Sequence, residues 1–138
     1  METTTLQAMK ISLGRMVILV EDYDEALLFY KNVLNARILH DNTTPNGQRY
    51  LHIGFDEADT SGIWFLKAEN PREQSRVGKQ TDGQPAFVLY TESLDIVYKR
   101  LLEHAVQIAK EPVVMADYQF LHFRDLYGNE IIVVQMKS

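Results

Sequence analysis

An α+β fold of two βαβββ modules, their strands curling as a mixed sheet around a cavity, is what this chain predicts. Three observations lead there. The stretch Phe120 to Gln135 reads as strand, tight turn, strand. The order strand, helix, three strands occurs twice. The halves also match in residues: Tyr50-Leu51-His52-Ile53 returns as Phe120-Leu121-His122-Phe123, and Phe29-Tyr30-Lys31 as Val97-Tyr98-Lys99. Recurrence at both levels marks one structural unit used twice.

The closing hairpin is the clearest element. Phe120 to Phe123 is apolar and aromatic around one histidine. Asp125-Leu126-Tyr127-Gly128-Asn129 supplies turn chemistry, because Asp bonds its own backbone and Gly and Asn tolerate positive φ. Ile131-Ile132-Val133-Val134 then resumes as a β-branched run suited to a pleated sheet.

Taken in order, residues 1–9 are polar and read as a flexible arm, one that can also dock on a partner subunit. Gly14 to Val20 is the first strand. Acidic Glu21-Asp22-Tyr23-Asp24 suits a helix N-terminus, and Ala26, Leu27, Phe29, Tyr30, Val33 and Leu34 fall near helical spacing. Asn35 is the left-handed stop. Short strands follow at Arg37 to His40, Gln48 to Phe55 and Ile63 to Ala68, with a turn cluster at Asp41 to Gly47. Residues 70–84 are polar and read as a linker. Ala86 to Tyr90 is a strand, Ser93 caps a helix through Leu102, and Val106 to Met115 is extended. One domain is expected over 10–138, with module one at 13–69 and module two at 85–137.

Bulk properties exclude several classes. Hydrophobic residues make up 46% of the 138 and charged residues 24%, enough for one compact unit. A net charge of −5 argues against a nucleic-acid partner, since phosphate binding needs a basic face. No apolar run approaches the roughly 18 residues of a membrane span. Met1 to Met9 lacks the features of a signal peptide. Cysteine is absent, which excludes disulfides and thiolate ligands; the expected location is the cytoplasm.

With these residues in view, the chain resembles the vicinal oxygen chelate superfamily of glyoxalase I, extradiol dioxygenases, and bleomycin- and fosfomycin-resistance proteins. Val20-Glu21-Asp22 with Ala26 to Leu34 resembles that family's strand-to-helix segment. Phe123 to Ile131 resembles its Asp-x-x-Gly-Asn hairpin. The resemblance covers nearly all of residues 14–136 and implies paired βαβββ modules, often in a homodimer. It also implies four metal-ligand positions in the family's metal enzymes, which carry over to Arg15, Phe65, Ala86 and Ile132. None of the four is an ordinary divalent-metal ligand, since metals need O, N or S donors. The neighbours Gly14, Met16, Trp64, Leu66, Pro85, Phe87, Ile131 and Val133 are no better. The reading therefore shifts to a metal-free, ligand-binding branch, with no cofactor.

Alternation along strands then nominates the cavity lining. Leu51, Ile53 and Phe55 form the apolar face that should meet a helix, which turns Tyr50 and His52 toward the cavity. Phe120, His122 and Arg124 follow likewise. Counting from the ligand-equivalent positions adds Arg15, Ile63, Phe65, Lys67 and Tyr90, and sends Trp64 toward the helix. The expected ligand-binding set is Arg15, Tyr50, His52, Phe65, Tyr90, Phe120, His122 and Arg124. Arg15 reads either as a solvated strand end or as a fixed cation for a carboxylate or phenolate. His52 and His122 read as satisfied inward histidines, as groups bonding a ligand oxygen, or as a displaced metal pair.

The expected function is a metal-free homodimer holding a small, partly apolar molecule, in the manner of bleomycin-resistance proteins. The rival is a metal-dependent lyase, isomerase or dioxygenase with divergent ligands. A third reading has the cavity filled in and the module serving as a subunit only.

Overall fold

The computed structural model describes residues 7–58 and 61–137. Its elements run β1 (Arg15–Val20), α1 (Tyr23–Leu34), β2 (Arg37–Thr43), β3 (Arg49–Gly54), β4 (Gly62–Lys67), α2 (Pro71–Gln74), β5 (Phe87–Tyr90), α3 (Leu94–Glu103), β6 (Ile108–Val114), β7 (Tyr118–Arg124) and β8 (Glu130–Met136). The strands form two four-stranded mixed sheets, ordered β1-β4-β3-β2 and β5-β8-β7-β6. The expected strand, helix, three-strand order thus occurs twice. In each sheet the first and last strands run parallel, since a helix returns the chain between them, and the remaining pairs are antiparallel.

Local chemistry sets the helix ends. Asp22 accepts from the Glu25 N–H at 3.0 Å and opens α1. Asn35 closes it at φ 61, its own N–H reaching the Tyr30 carbonyl. Ser93 opens α3 by accepting from the Ile96 N–H at 3.3 Å. Ala26, Tyr30 and Val33 of α1, and Leu94 and Leu101 of α3, are buried against the sheets.

Three segments differ from expectation. β2 runs on to Thr43, where turn chemistry had suggested a break, because Asp41, Asn42 and Thr43 still pair with Leu51, Tyr50 and Arg49. Arg49 fixes that extension with a fork onto both Asp41 carboxylate oxygens at 3.0 Å and a bond to Asp24 at 2.9 Å. The reversal shrinks to Thr44–Gln48, with Gly47 at φ 90. β7 begins two residues before Phe120, at Tyr118, which pairs with Met136. The segment expected as a bare linker holds the short helix α2, capped by Asn70 and started by Pro71.

That connecting segment also closes a sheet edge. Gln80 Oε1 accepts from the Leu19 N–H at 2.6 Å, and Gln80 Nε2 donates to the Val17 carbonyl at 3.0 Å. One side-chain amide thus stands in for a neighbouring strand on β1. Of the expected arm, residues 1–6 lie outside the described residues. Residues 7–14 are exposed and carry no regular structure.

The two modules share one core. Ile18, Leu51, Ile53 and Phe65 of the first sheet join Leu121, Phe123, Ile131 and Val133 of the second in a single buried cluster with the helices. Polar contacts cross the seam. Tyr30 donates to Asp125 Oδ2 at 2.7 Å, the Tyr127 hydroxyl donates to the Asp22 carbonyl at 3.2 Å, and Arg100 Nη2 donates to the Asn32 carbonyl at 2.7 Å.

Candidate ligand-binding faces

Each sheet spends one face on the common core and leaves the other open. Register shows which residues share the open faces, because directly paired residues project to the same side. On the first sheet Val17, Trp64, His52 and His40 lie in one row across β1, β4, β3 and β2. On the second, Val88, Ile132, His122 and Lys110 form the corresponding row across β5, β8, β7 and β6. His52 and His122, matched in sequence, therefore hold equivalent places in the two sheets.

The first face is an aromatic row with donors. The rings of Tyr50 and Trp64 lie 5.9 Å apart, those of His52 and Trp64 5.4 Å, and those of His40 and His52 5.4 Å. Arg15 Nε donates to His52 Nδ1 at 3.0 Å. That bond makes Nδ1 the acceptor and places the imidazole proton on Nε2. Among the described residues neither His52 Nε2 nor Trp64 Nε1 has a hydrogen-bond partner, although both atoms are sealed from solvent. Burial holds the His52 pKa below its usual value, and the charges of Arg15 and His40 lower it further.

The second face combines aromatic rings with the charged side chains Lys110, Arg124 and Glu130. Tyr118, Phe120 and His122 alternate along β7, with ring separations of 5.8 and 5.6 Å. Tyr90 and Val88 of β5 stand out from it, 75% and 46% exposed. His122 Nδ1 lies 2.8 Å from Glu130 Oε2, and Arg124 Nη2 donates to Glu130 Oε1 at 3.3 Å. The carboxylate can only accept, so Nδ1–H donates to it and Nε2 is the ring's other end.

Seven of the eight expected residues lie on these open faces: Arg15, Tyr50 and His52 on the first, Tyr90, Phe120, His122 and Arg124 on the second. Phe65 does not, and its placement is a correction. It is fully buried in register with Ile18 and Leu51, its ring 5.2 Å from that of Tyr30. Ile63 shares that face and is buried too. Trp64 takes the open side in their stead. Alternation could not have decided this, because Ile63-Trp64-Phe65-Leu66 is apolar at every position and both phases read alike. The cross-strand pairing with β3 does decide it. Glu130 was also missed; its signal was its place beside Arg124 and on the same side of β8 as Ile132.

The four positions implied for a metal offer a cation and three hydrocarbon side chains, so they do not fit a divalent ion. Among the described residues no group of three or more His, Asp or Glu could hold one elsewhere. Five grooves open elsewhere on the chain, and their linings include neither His52 nor His122. No described helix is long and apolar enough to cross a membrane.

Two sheets of this topology, related by an internal repeat, define a paired βαβββ protein. The chain belongs to the Glyoxalase/Bleomycin resistance protein/Dioxygenase superfamily, whose model matches residues 12–133. It is 25% identical over 131 residues to an uncharacterised protein of Shewanella frigidimarina (strain NCIMB 400), covering 94% of this chain and 97% of the relative. Among solved structures it is similar to UcmS2, with TM-score 0.79, 24% identity, and coverage of 91% and 98% of the two chains. It is also similar to TnmS3, described as an antibiotic binding protein from Streptomyces sp. CB03234, with TM-score 0.76, 24% identity, and coverage of 94% and 100%.

Proposed function

We propose that this chain is a metal-free binding protein for a small, partly apolar, oxygen-bearing molecule. It acts as a cytoplasmic homodimer in which the open face of one protomer's first sheet meets the open face of its partner's second. Each face supplies half a pocket. Tyr50 and Trp64 offer flat apolar surface on one side, and Phe120 and Tyr90 on the other. Arg15 supports an anionic oxygen of the ligand, and His122 Nε2 accepts a hydrogen bond from a ligand hydroxyl. The similar TnmS3 is described as antibiotic-binding. That likeness carries the fold; the lining of this chain carries the function.

The observation behind the reading is the pair of uncovered aromatic rows centred on His52 and His122. The test is metal analysis of protein purified without chelator, together with a thermal-shift panel of aromatic small molecules. Expected are no stoichiometric divalent ion and stabilisation that Trp64→Ala and Phe120→Ala each weaken. A stoichiometric ion, or a panel with no stabilising compound, would overturn it.

A second reading is supported by the His122–Glu130 pair. A carboxylate on Nδ1 orients the ring and leaves Nε2 as a proton acceptor, which is the arrangement of a general base. On that reading Glu130→Gln retains ligand and loses turnover; a variant that loses both refutes it.

A further inference from the structure

Helices α1 and α3, one from each module, pack against each other and leave a groove of about 260 Å³ between them. Its floor is apolar: Val33 and Leu34 of α1, Val97 of α3, Leu89 of β5 and Val133 of β8. Val33 and Val133 are buried, and the other three are partly so. Towards the C-terminal ends of the helices this groove meets a polar one of about 560 Å³, and Asn35 and Arg100 line both. Lys31, Arg37 and His104 line the polar part. Neither lining contains an Asp or a Glu, in a chain whose net charge is −5.

Basic residues at a helix C-terminus answer the partial negative charge of its last carbonyls. Arg100 does this for α1, its Nε and Nη2 donating to the Asn32 carbonyl at 3.1 and 2.7 Å. Arg37 is engaged as well, donating to the Asp56 carbonyl. Helix ends do not use up the rest. Among the described residues the side chains of Lys31 and His104 have no hydrogen bond or ion pair, and Arg100 Nη1 has no acceptor. The groove thus joins an apolar floor to surplus donors at one end.

We infer that this groove binds a small amphipathic carboxylate, its apolar tail between α1 and α3 and its carboxylate at Arg100 Nη1 and Lys31, with His104 as a further donor. Charge complementarity names the head group: basic side chains without partners favour an anion, and a guanidinium edge favours a carboxylate. The floor names the tail, since partly buried apolar side chains gain by leaving water. The apolar part exceeds the roughly 150 Å³ that accepts benzene, so one ring or a short alkyl chain fits it. It offers no room for the successive anchors of a partner helix. This is a second site. Of the residues on the open faces its lining includes Tyr90 alone, and it does not depend on the function proposed above.

The test titrates the full chain with octanoate, octanol and inorganic phosphate, followed by methyl and backbone NMR shifts. Octanoate should give saturable shifts at Val33, Leu89 and Val97. Octanol should bind at least about tenfold more weakly, the scale of losing a hydrogen bond between charged groups, and phosphate, which has no tail, should also bind more weakly. Two variants sharpen the reading. Ile96→Asp puts an acid on the groove wall at an exposed position in the first turn of α3, where a helix accepts one. It should weaken octanoate about tenfold without loss of fold, by the like-charge repulsion it adds. Lys31→Gln/His104→Gln should bring octanoate towards the affinity of octanol. Octanol binding as tightly as octanoate would overturn the proposal, and so would octanoate binding that neither variant weakens. Phosphate binding as tightly as octanoate would mark a plain anion site and overturn it too. Absence of octanoate binding refutes it outright. Shifts confined to Trp64, His52 and His122 would refute this site while leaving the open-face binding function standing.

Discussion

The Tyr30 hydroxyl donates to Asp125 Oδ2 at 2.7 Å, joining the helix of one module to the hairpin turn of the other inside the core. Asp125 is itself 6% exposed and holds the turn by accepting from the backbone N–H groups of Tyr127 and Asn129 and from the Asn129 side chain. One carboxylate thus shapes the turn and fastens the modules.

Replacing Tyr30 by Phe should therefore destabilise the fold by about 1–3 kcal/mol, the usual cost of leaving a buried acceptor short of a donor. Urea unfolding measures it. The pH dependence follows from the Tyr30 pKa, raised well above its ordinary value first by burial and then by Asp125. Below about pH 10 the phenol is neutral in both states. Above that the unfolded chain releases the proton and the folded one holds it, so stability falls as pH rises. Tyr30→Phe should flatten that alkaline loss without removing it, because burial also raises Tyr127. An unchanged alkaline slope in the variant would contradict the assignment.

Gly78 sits at φ 76, and a Cβ built there would lie 1.9 Å from the Tyr127 carbonyl oxygen. The connecting segment can approach the hairpin turn only through a residue without a side chain. Gly78→Ala should cost more than about 2 kcal/mol, from left-handed strain together with the backbone collision. Thermal unfolding of the variant checks this; a loss within about 0.5 kcal/mol of zero would mean the segment shifts freely.

His52 titrates below its ordinary value, through burial first, then Arg15 and His40. A depressed folded-state histidine resists protonation that the unfolded chain accepts. Its contribution is neutral above about pH 6.5 and destabilising as pH falls below that. Arg15→Gln should raise the His52 pKa in an NMR titration, yet leave it below the ordinary value, since burial is the larger cause. A pKa unmoved by that substitution would show that the guanidinium does not act on the ring.

Trp64 is the only tryptophan, and it lies on the open face beside His52 and Tyr50. Its emission should respond to occupancy of that face. Titration with anilinonaphthalene sulfonate should quench it, and Trp64→Ala should weaken binding of that dye about tenfold, near 1.4 kcal/mol. Saturable binding without any change in emission would place the dye elsewhere.

Much of the fold was legible because its cues are local. Asp22, Asn35 and Ser93 announce helix ends by side-chain chemistry alone, and Asp125 to Asn129 announces a turn. The repeated element order then restricts the topology, since a helix between strands forces a parallel return. Less of the site was legible. His52 and His122 were found through alternation anchored on clearly apolar neighbours. Phe65 and Trp64 were exchanged, because a strand apolar at four successive positions carries no phase.

The residues of this chain by themselves determined two βαβββ units, their helix caps and the closing turn. Those follow from backbone preferences and side-chain chemistry within a few residues of each other. Tertiary structure decided which side of β4 meets the core, that Gln80 closes the β1 edge, and that Tyr30 meets Asp125. Each depends on register or contact between residues distant in the chain, where the choice between near-equal local alternatives is made by the partner strand.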